Sequence, residues 1–174
     1  MLDLPIINFD IKALDSGGET LRPIGMYIAS TLIWDKFVKK MPGIKKRVIV
    51  DEAWMMLNKN MAGFQYTAKF LETLSRRIRK RHAGLLVASQ NFSEFLECSE
   101  GQVVVKNSPF TIFLRQSETD LDKLSDTFRL TDGERNFVTR SSIGHILLKT
   151  DKGSSIIYTK SFPFEHKILT AKTF

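Results

Sequence analysis

Two carboxylates directly follow an apolar run in the stretch RVIVDEAW. Asp51 and Glu52 come after residues 47–50, which have the composition of a buried strand. An aspartate at such a point can hold Mg²⁺, and a glutamate beside it can orient and deprotonate the water that attacks a phosphate. The alternative is a strand that ends at an acidic helix start, where carboxylates favour the positive end of the helix dipole. This stretch alone leaves both interpretations open.

Polar residues also end three other predicted strands. They are Asp10, the pair Ser89-Gln90, and the pair Arg115-Gln116. Because the carboxyl ends of parallel strands share one edge of a sheet, we expect all of them to lie near the acidic pair. Gln90 is predicted to contact the γ-phosphate of a nucleotide and so report its presence; the alternative is that Gln90 caps the following helix. Together, the two strand ends at Glu52 and Gln90 favour nucleotide hydrolysis.

The densest basic run is RRIRKRH, residues 76–82, in which five of seven residues carry a fixed positive charge. Three interpretations stay open. The cations can offset the dipole at the end of a helix. One arginine can reach the phosphates of a neighbouring subunit as an arginine finger. The run can also bind the phosphate backbone of DNA, although it lacks the interleaved aromatic residues that would stack on single strands.

A phosphate-cradling loop is missing from the sequence. The P-loop requires Gly-x-x-x-x-Gly-Lys-Ser/Thr, and no Gly-Lys pair occurs in the chain. The glycine-bearing stretch DSGGET, residues 15–20, lacks the lysine and is interpreted as a turn.

Strands and helices must alternate to position these residues. Strands are predicted at residues 4–11, 46–51, 83–89 and 109–115, followed by a hairpin of 144–150 and 154–160. Helices are predicted at residues 21–41, 64–81, 92–98, 117–128 and 132–140, the last capped by Thr131. Helix 21–41 is apolar around its circumference and strand 83–89 does not alternate, so both are expected to be buried on all sides. The order predicts an α/β fold with a mostly parallel sheet flanked by helices and an antiparallel hairpin at one edge.

The composition is that of an ordinary globular protein: 174 residues, 43% hydrophobic and 26% charged, with a net charge of +7 that permits an anionic partner. The single cysteine, Cys98, excludes an internal disulfide, and no apolar run reaches the roughly 18 residues of a transmembrane helix. Trp34 and Trp54 are interpreted as packing residues.

Several stretches together resemble one family. INFDIKAL, RVIVDEAWMML, SRRIRKRHAGLLVASQ and LRQSETDLDKLSDTFRLTDGERNFV are similar to the C-terminal ATPase domain of the VirB-four-type (TraC-like) ATPases of conjugation and type IV secretion. The resemblance extends over about residues 6–160. It implies a RecA-like P-loop NTPase core, ATP and Mg²⁺ as ligands, hexamers with sites between subunits, and secretion-system partners at the cytoplasmic face of the inner membrane.

The resemblance also implies roles for individual residues. Asp51 and Glu52 match the Walker B pair, and Gln90 matches the glutamine that ends the sensing strand. The basic pair Arg79-Lys80 matches a pair at the subunit boundary, where Arg79 is the finger candidate. Arg115 and Gln116 match the polar end of a later core strand and are candidate nucleotide ligands.

The resemblance implies that residues 1–174 are the later portion of one RecA-like domain, without its Walker A segment and N-terminal domain. ATP hydrolysis by this chain on its own is therefore not expected. Two alternatives to the secretion motor remain: a DNA-translocating coupling protein of the TraG, FtsK or HerA kind, and a truncated assembly module without enzymatic activity.

Overall fold

The structure, a computed structural model, describes residues 6–11, 14, 21–40, 43–90 and 92–170. The chain divides into two compact units, residues 1–108 and 109–174, which are described separately. The predicted turn at 15–20 and residues 4–5 of the predicted strand 4–11 lie outside the described residues. Residues 6–11 are described and form no strand. Within the described ranges, no helix is long and apolar enough to cross a bilayer.

The first unit is built around a parallel pair of strands joined through a helix. Its elements are α1 (Leu21–Leu32), a π-helical segment (Ile33–Val38), β1 (Lys46–Val50), a 3₁₀ turn (Ala53–Met56), α2 (Phe64–Arg77), a second 3₁₀ turn (Ile78–Arg81), β2 (Ala83–Val87), α3 (Ser93–Glu97) and α4 (Ser99–Lys106). Lys46 lies opposite Ala83 and Val50 opposite Val87, so both strands run in the same direction in full register. This β-α-β arrangement confirms the predicted α/β class.

Helix α2 supplies the centre of the core of this unit. Ala68, Leu71 and Leu74 recur at the spacing of one helix face and are fully buried. They pack against the inner face of the two strands, which includes Val48 and Leu85. The buried Glu72 of α2 forms salt bridges within one turn to Lys69 at 2.6 Å and to Arg76 at 2.9 Å.

Two expectations of complete burial are wrong. In α1, Tyr27 is 51% and Ile28 is 53% exposed. In β2, Leu86 is 53% exposed, as is its neighbour Ile49 in β1 at 64%. In α1 the buried residues are Met26 and Ser30, which lie one turn apart on one side of the helix. In the strands, the core cluster with α2 contacts the face that carries Val48 and Leu85, and the opposite face carries Ile49 and Leu86.

The second unit is a three-stranded antiparallel sheet with helices. Its elements are β3 (Phe110–Phe113), a 3₁₀ turn (Glu118–Asp120), α5 (Leu121–Phe128), α6 (Asp132–Arg140), β4 (His145–Thr150), β5 (Gly153–Tyr158) and α7 (Pro163–Leu169). The strand order is β3-β4-β5, and β4 and β5 form the predicted hairpin. The predicted Thr131 cap is also confirmed, since its hydroxyl accepts a hydrogen bond from the Glu134 backbone N–H at 3.3 Å.

The fourth predicted strand forms, but with a different partner. β3 pairs antiparallel with β4, with Phe113 opposite Leu147, rather than extending the parallel pair. Whether a strand pairs in parallel or antiparallel depends on the strand to which its backbone hydrogen-bonds. The apolar pattern of residues 109–115 does not specify that partner. The expectation that Arg115 and Gln116 follow a strand of the parallel sheet is therefore wrong. Helices α4 and α7 were not predicted.

Glu134 ties the start of α6 to the antiparallel sheet. Its carboxylate accepts hydrogen bonds from the Thr131 backbone N–H at 2.7 Å and from the Lys149 ammonium at 3.0 Å. Burial favours the neutral acid, but hydrogen bonds from Ser154, Thr131 and Lys149 outweigh it and lower the pKa of Glu134 to about 2. The charged form is therefore the one that stabilises this unit.

Replacing Glu134 by Gln is expected to lower the free energy of unfolding by about 2–3 kcal/mol at pH 7. In the wild type, the folded-state pKa lies below the ordinary value of 4.5. The stabilisation is therefore complete above that value and is lost as the pH falls toward 2. Urea unfolding at pH 7 and pH 3 measures both effects. Glu118→Gln, at an exposed position of the same unit, is the matched control, and an equal loss in both variants would contradict the prediction.

Candidate functional site

The acidic pair lies at the carboxyl edge of the parallel strands, in a turn with an unusual backbone. Glu52 adopts the left-handed conformation, with φ 48° and ψ 43°, which costs a residue with a side chain roughly 1–2 kcal/mol. The Asp51 carboxylate stabilises the turn by accepting a hydrogen bond from the Glu52 backbone N–H at 3.0 Å. The Ala53 N–H then donates to the Ala88 carbonyl at 3.0 Å, which ties the turn to the end of β2.

The Glu52 carboxylate is held by two donors. The Trp54 indole Nε1–H donates to Oε2 at 2.6 Å, and the Gln90 side-chain amide donates to Oε1. The structure thus brings together two residues that lie 38 positions apart in the sequence. As the alternative for the acidic pair expects, a short 3₁₀ helix begins directly after Glu52, although the Glu52 side chain makes no cap hydrogen bond to it. The cap position of α3 is occupied by Phe92 rather than by Gln90.

Asp51 offers a single exposed carboxylate to a metal ion. No group of three or more potential metal ligands occurs among the described residues. This arrangement suits Mg²⁺, which is commonly held by one or two carboxylates while its remaining positions are filled by water and substrate phosphates. It does not suit a structural zinc ion, which requires four protein ligands.

A cavity of about 1160 Å³ extends along β1 and reaches the acidic pair. Asp51 and Glu52 lie on its wall, and Asp10 and Arg22 also line it. The prediction that Asp10 lies near the acidic pair is consistent with this shared cavity. Arg22 donates from its guanidinium to the Met55 sulfur at 3.1 Å, which places a cation close to the turn that carries Glu52.

The basic run lies at the opposite edge of the same sheet. It ends directly before β2, and the Lys46 N–H, which begins β1, donates to the His82 carbonyl at 3.0 Å. Strands of this length measure about 16 Å. Arg79 and Lys80 therefore lie a full strand length away from Glu52 and Gln90, and they do not belong to the same cluster of side chains.

Most of the charges at this amino edge have no acidic partner. Arg76 is paired with Glu72 at 2.9 Å. Among the described residues, no salt bridge is formed by five exposed cations of the edge, namely Lys45, Arg47, Arg79, Lys80 and Arg81. Burial, and after it the charge of Arg81, lowers the pKa of the neighbouring Lys46. The amino edge is thus a strongly positive surface.

Arg115 and Gln116 lie in the second unit, after β3, where they contact α6. The Arg115 guanidinium donates to the Thr139 carbonyl at 3.2 Å, and the Gln116 N–H donates to the Val138 carbonyl at 2.8 Å. These bonds fix the end of β3 to the end of α6. Arg115 and Gln116 therefore have a structural role, whether or not they also bind nucleotide.

The hydrogen bond from Trp54 to Glu52 was not predicted from the sequence. In a regular helix, a tryptophan two residues after a glutamate does not face it. It does so here because the left-handed turn at Glu52 changes the direction of the chain before the 3₁₀ turn begins. No local pattern in the sequence predicts that conformation.

The chain is similar to known proteins in sequence and in fold. The family described as the TraG P-loop domain matches residues 1–146. The type IV secretion system protein CagE of Helicobacter pylori is 27% identical over 145 residues, which are 81% of this chain and 14% of CagE. The structure of VirB4 of Thermoanaerobacter pseudethanolicus superposes with a TM-score of 0.76 at 25% identity, covering 90% of this chain and 42% of that chain.

The chain thus spans less than half the length of both relatives. The similarity to VirB4 confirms the predicted α/β fold and the resemblance to VirB-four-type secretion proteins. Because it covers 90% of this chain, it extends into both units. The chain belongs to the TraG P-loop domain family.

Proposed function

We propose that this chain is the part of an ATP-hydrolysing motor that carries the acidic and γ-phosphate-sensing side of the nucleotide site. The motor would energise pilus assembly or substrate transfer in a type IV secretion or conjugation system. The observation that carries the proposal is the hydrogen bond from Gln90 to Glu52, a residue that lines a large cavity together with Asp51. Residues 1–174 would form the later portion of one RecA-like domain.

Each residue of the carboxyl edge has a proposed role. Asp51 would hold Mg²⁺, and the bound ion would neutralise negative charge on the phosphates. Glu52 would orient the attacking water and accept its proton, since its carboxylate is fixed by two donors and each oxygen keeps a second lone pair. Gln90 is exposed beside Glu52 and would sense the γ-phosphate.

Arg79 and Lys80 are proposed to act on the site of a neighbouring subunit in a hexamer. Their position at the amino edge supports this, because a strand length separates them from Glu52 of their own chain. Within the described part of the chain Arg79 is exposed and forms no salt bridge, so it is available to stabilise phosphoryl charge across a subunit boundary. Arg115 and Gln116 remain proposed nucleotide ligands, held in place by α6.

Other parts of the intact motor are also proposals. Because the sequence has no Gly-Lys pair, the P-loop lysine would come from a segment other than residues 1–174. The motor would lie at the cytoplasmic face of the inner membrane and contact other components of the secretion system. These statements rest on the similarity to CagE and VirB4.

The test is magnesium-dependent ATP turnover by the full-length gene product. Wild-type turnover is expected to disappear with EDTA and to return with Mg²⁺. Asp51→Asn is expected to lower turnover at limiting Mg²⁺ at least about tenfold, because one charged ligand of the ion is lost. Asp35→Asn, at an exposed helical position of the same unit, is the control. Turnover by the Asp51 variant that needs no more Mg²⁺ than wild type would contradict the assignment.

A DNA-translocating coupling protein is the second candidate, favoured by the unpaired cations of the amino edge. Neutralising Lys45, Arg47, Lys80 and Arg81 would then abolish DNA binding that weakens steeply with salt. DNA binding that survives these changes would count against this candidate. If the full-length gene product binds partner subunits but neither nucleotide nor DNA, the chain is an assembly module without enzymatic activity.

A further inference from the structure

Trp54 stands on the most firmly anchored part of the candidate site. Its 3₁₀ turn is fixed at both ends by core residues, with Ala53 fully buried and Met56 6% exposed. The Met56 carbonyl accepts a hydrogen bond from the Thr67 hydroxyl of α2 at 2.8 Å. The indole itself is only partly buried, and its N–H points at the Glu52 carboxylate.

The two donors to Glu52 differ in how firmly they are held. Gln90 is exposed at the end of β2, so its amide can leave Glu52 for another acceptor. Trp54 is attached through its turn to the core and to α2. A functional carboxylate needs orientation by a group whose own position is locked by packing and hydrogen bonds. Of the two donors, Trp54 is the one whose backbone is anchored to the core, through Ala53 and Met56.

We propose that Trp54 is a positioning residue for Glu52, whose indole N–H keeps the carboxylate oriented when Gln90 turns toward a phosphate. The proposal rests on the proposed function of Glu52 as the general base. The sequence predicted only a packing role for Trp54. The proposal instead gives Trp54 a hydrogen bond to Glu52 that persists during turnover. Trp54 does not line the cavity beside Asp51 and Glu52, so its proposed effect passes through Glu52.

The first test detects the indole hydrogen bond without ATP. The 174-residue chain contains two tryptophans, so ¹H–¹⁵N NMR spectra show two indole signals, and Trp34→Phe identifies the one from Trp54. Glu52→Ala is expected to move the Trp54 signal upfield through loss of the charged acceptor and to leave the Trp34 signal in place. A Trp54 signal that does not move would overturn the proposal.

The second test separates orientation from binding in the full-length gene product. Trp54→Phe keeps an aromatic ring and removes the donor, and it is expected to lower kcat roughly tenfold while KM for ATP stays within about twofold. Trp54→His keeps a ring N–H and is expected to recover part of kcat. Trp34→Phe is the matched control and should retain wild-type kcat.

The outcomes distinguish this inference from the proposed function. If Glu52→Gln lowers turnover and Trp54→Phe does not, only the positioning role is overturned. If Glu52→Gln leaves turnover unchanged, the base assignment itself fails. A general loss of stability in Trp54→Phe, seen as a lower Tm with a higher KM and no recovery by Trp54→His, would also overturn the positioning role.

Discussion

Replacing Glu52 by Gln in the full-length gene product is expected to lower kcat for ATP hydrolysis about 10²–10⁴-fold. The amide has nearly the same shape but cannot accept the proton of the attacking water. Nucleotide affinity should change little, because the substitution preserves the volume of the side chain and leaves Asp51 in place. Steady-state turnover gives kcat, and equilibrium titration with a fluorescent nucleotide gives the affinity.

The matched control for this substitution is Glu97→Gln. Glu97 is an exposed carboxylate on α3 in the same unit, so the control removes the same charge away from the cavity. Its turnover should equal that of the wild type. Unchanged kcat in Glu52→Gln would sink the assignment of Glu52 as the base, whatever the affinity for nucleotide.

Loss of Arg79 is expected to have an effect of similar size. Arginine fingers contribute about 10³–10⁵-fold to turnover, so Arg79→Ala should lower kcat by about 10³-fold or more. Arg77→Ala is the matched control, because it removes an exposed arginine of the same basic run. Equal turnover in the two variants would show that Arg79 has no special role.

Mixing two inactive variants tests whether the site is shared between subunits. A hexamer that contains both Arg79→Ala and Glu52→Gln subunits has some boundaries at which an intact Glu52 faces an intact Arg79. If Arg79 acts across the boundary, the mixture is expected to recover measurable turnover. If both residues served the same chain, every site would remain defective and the mixture would stay inactive. The position of Arg79 at the amino edge predicts recovery.

The proximity of Glu52 and Gln90 could be predicted from the sequence. Two apolar runs separated by an amphipathic helix indicate a parallel β-α-β unit, and such strands end at the same edge. Polar residues that follow both runs must then be neighbours. The basic run precedes the second of these apolar runs, so the same rule places Arg79 and Lys80 at the opposite edge of the sheet. That position was not among the predictions from the sequence.

Exposure and strand pairing could not be predicted in the same way. An apolar strand such as residues 83–87 is compatible with burial on one face or on two, depending on how many layers surround it. β3 has the composition of any buried strand, and it pairs with β4 because the hairpin offers an antiparallel edge. These outcomes depend on contacts between distant residues, which a local pattern does not contain.

The sequence by itself determined the local elements and the order of polar residues at their ends: a strand before Asp51, a helix, a strand before Gln90, a capped helix at Thr131 and a hairpin. Hydrophobic period, turn residues and caps act within a few residues, so they can be read without a structure. Only the tertiary structure decided that Trp54 holds Glu52 and that Arg79 lies a strand length from the acidic pair. Those relations arise from backbone direction at a left-handed turn and from the pairing of two distant strands, where long-range packing prevails over local preference.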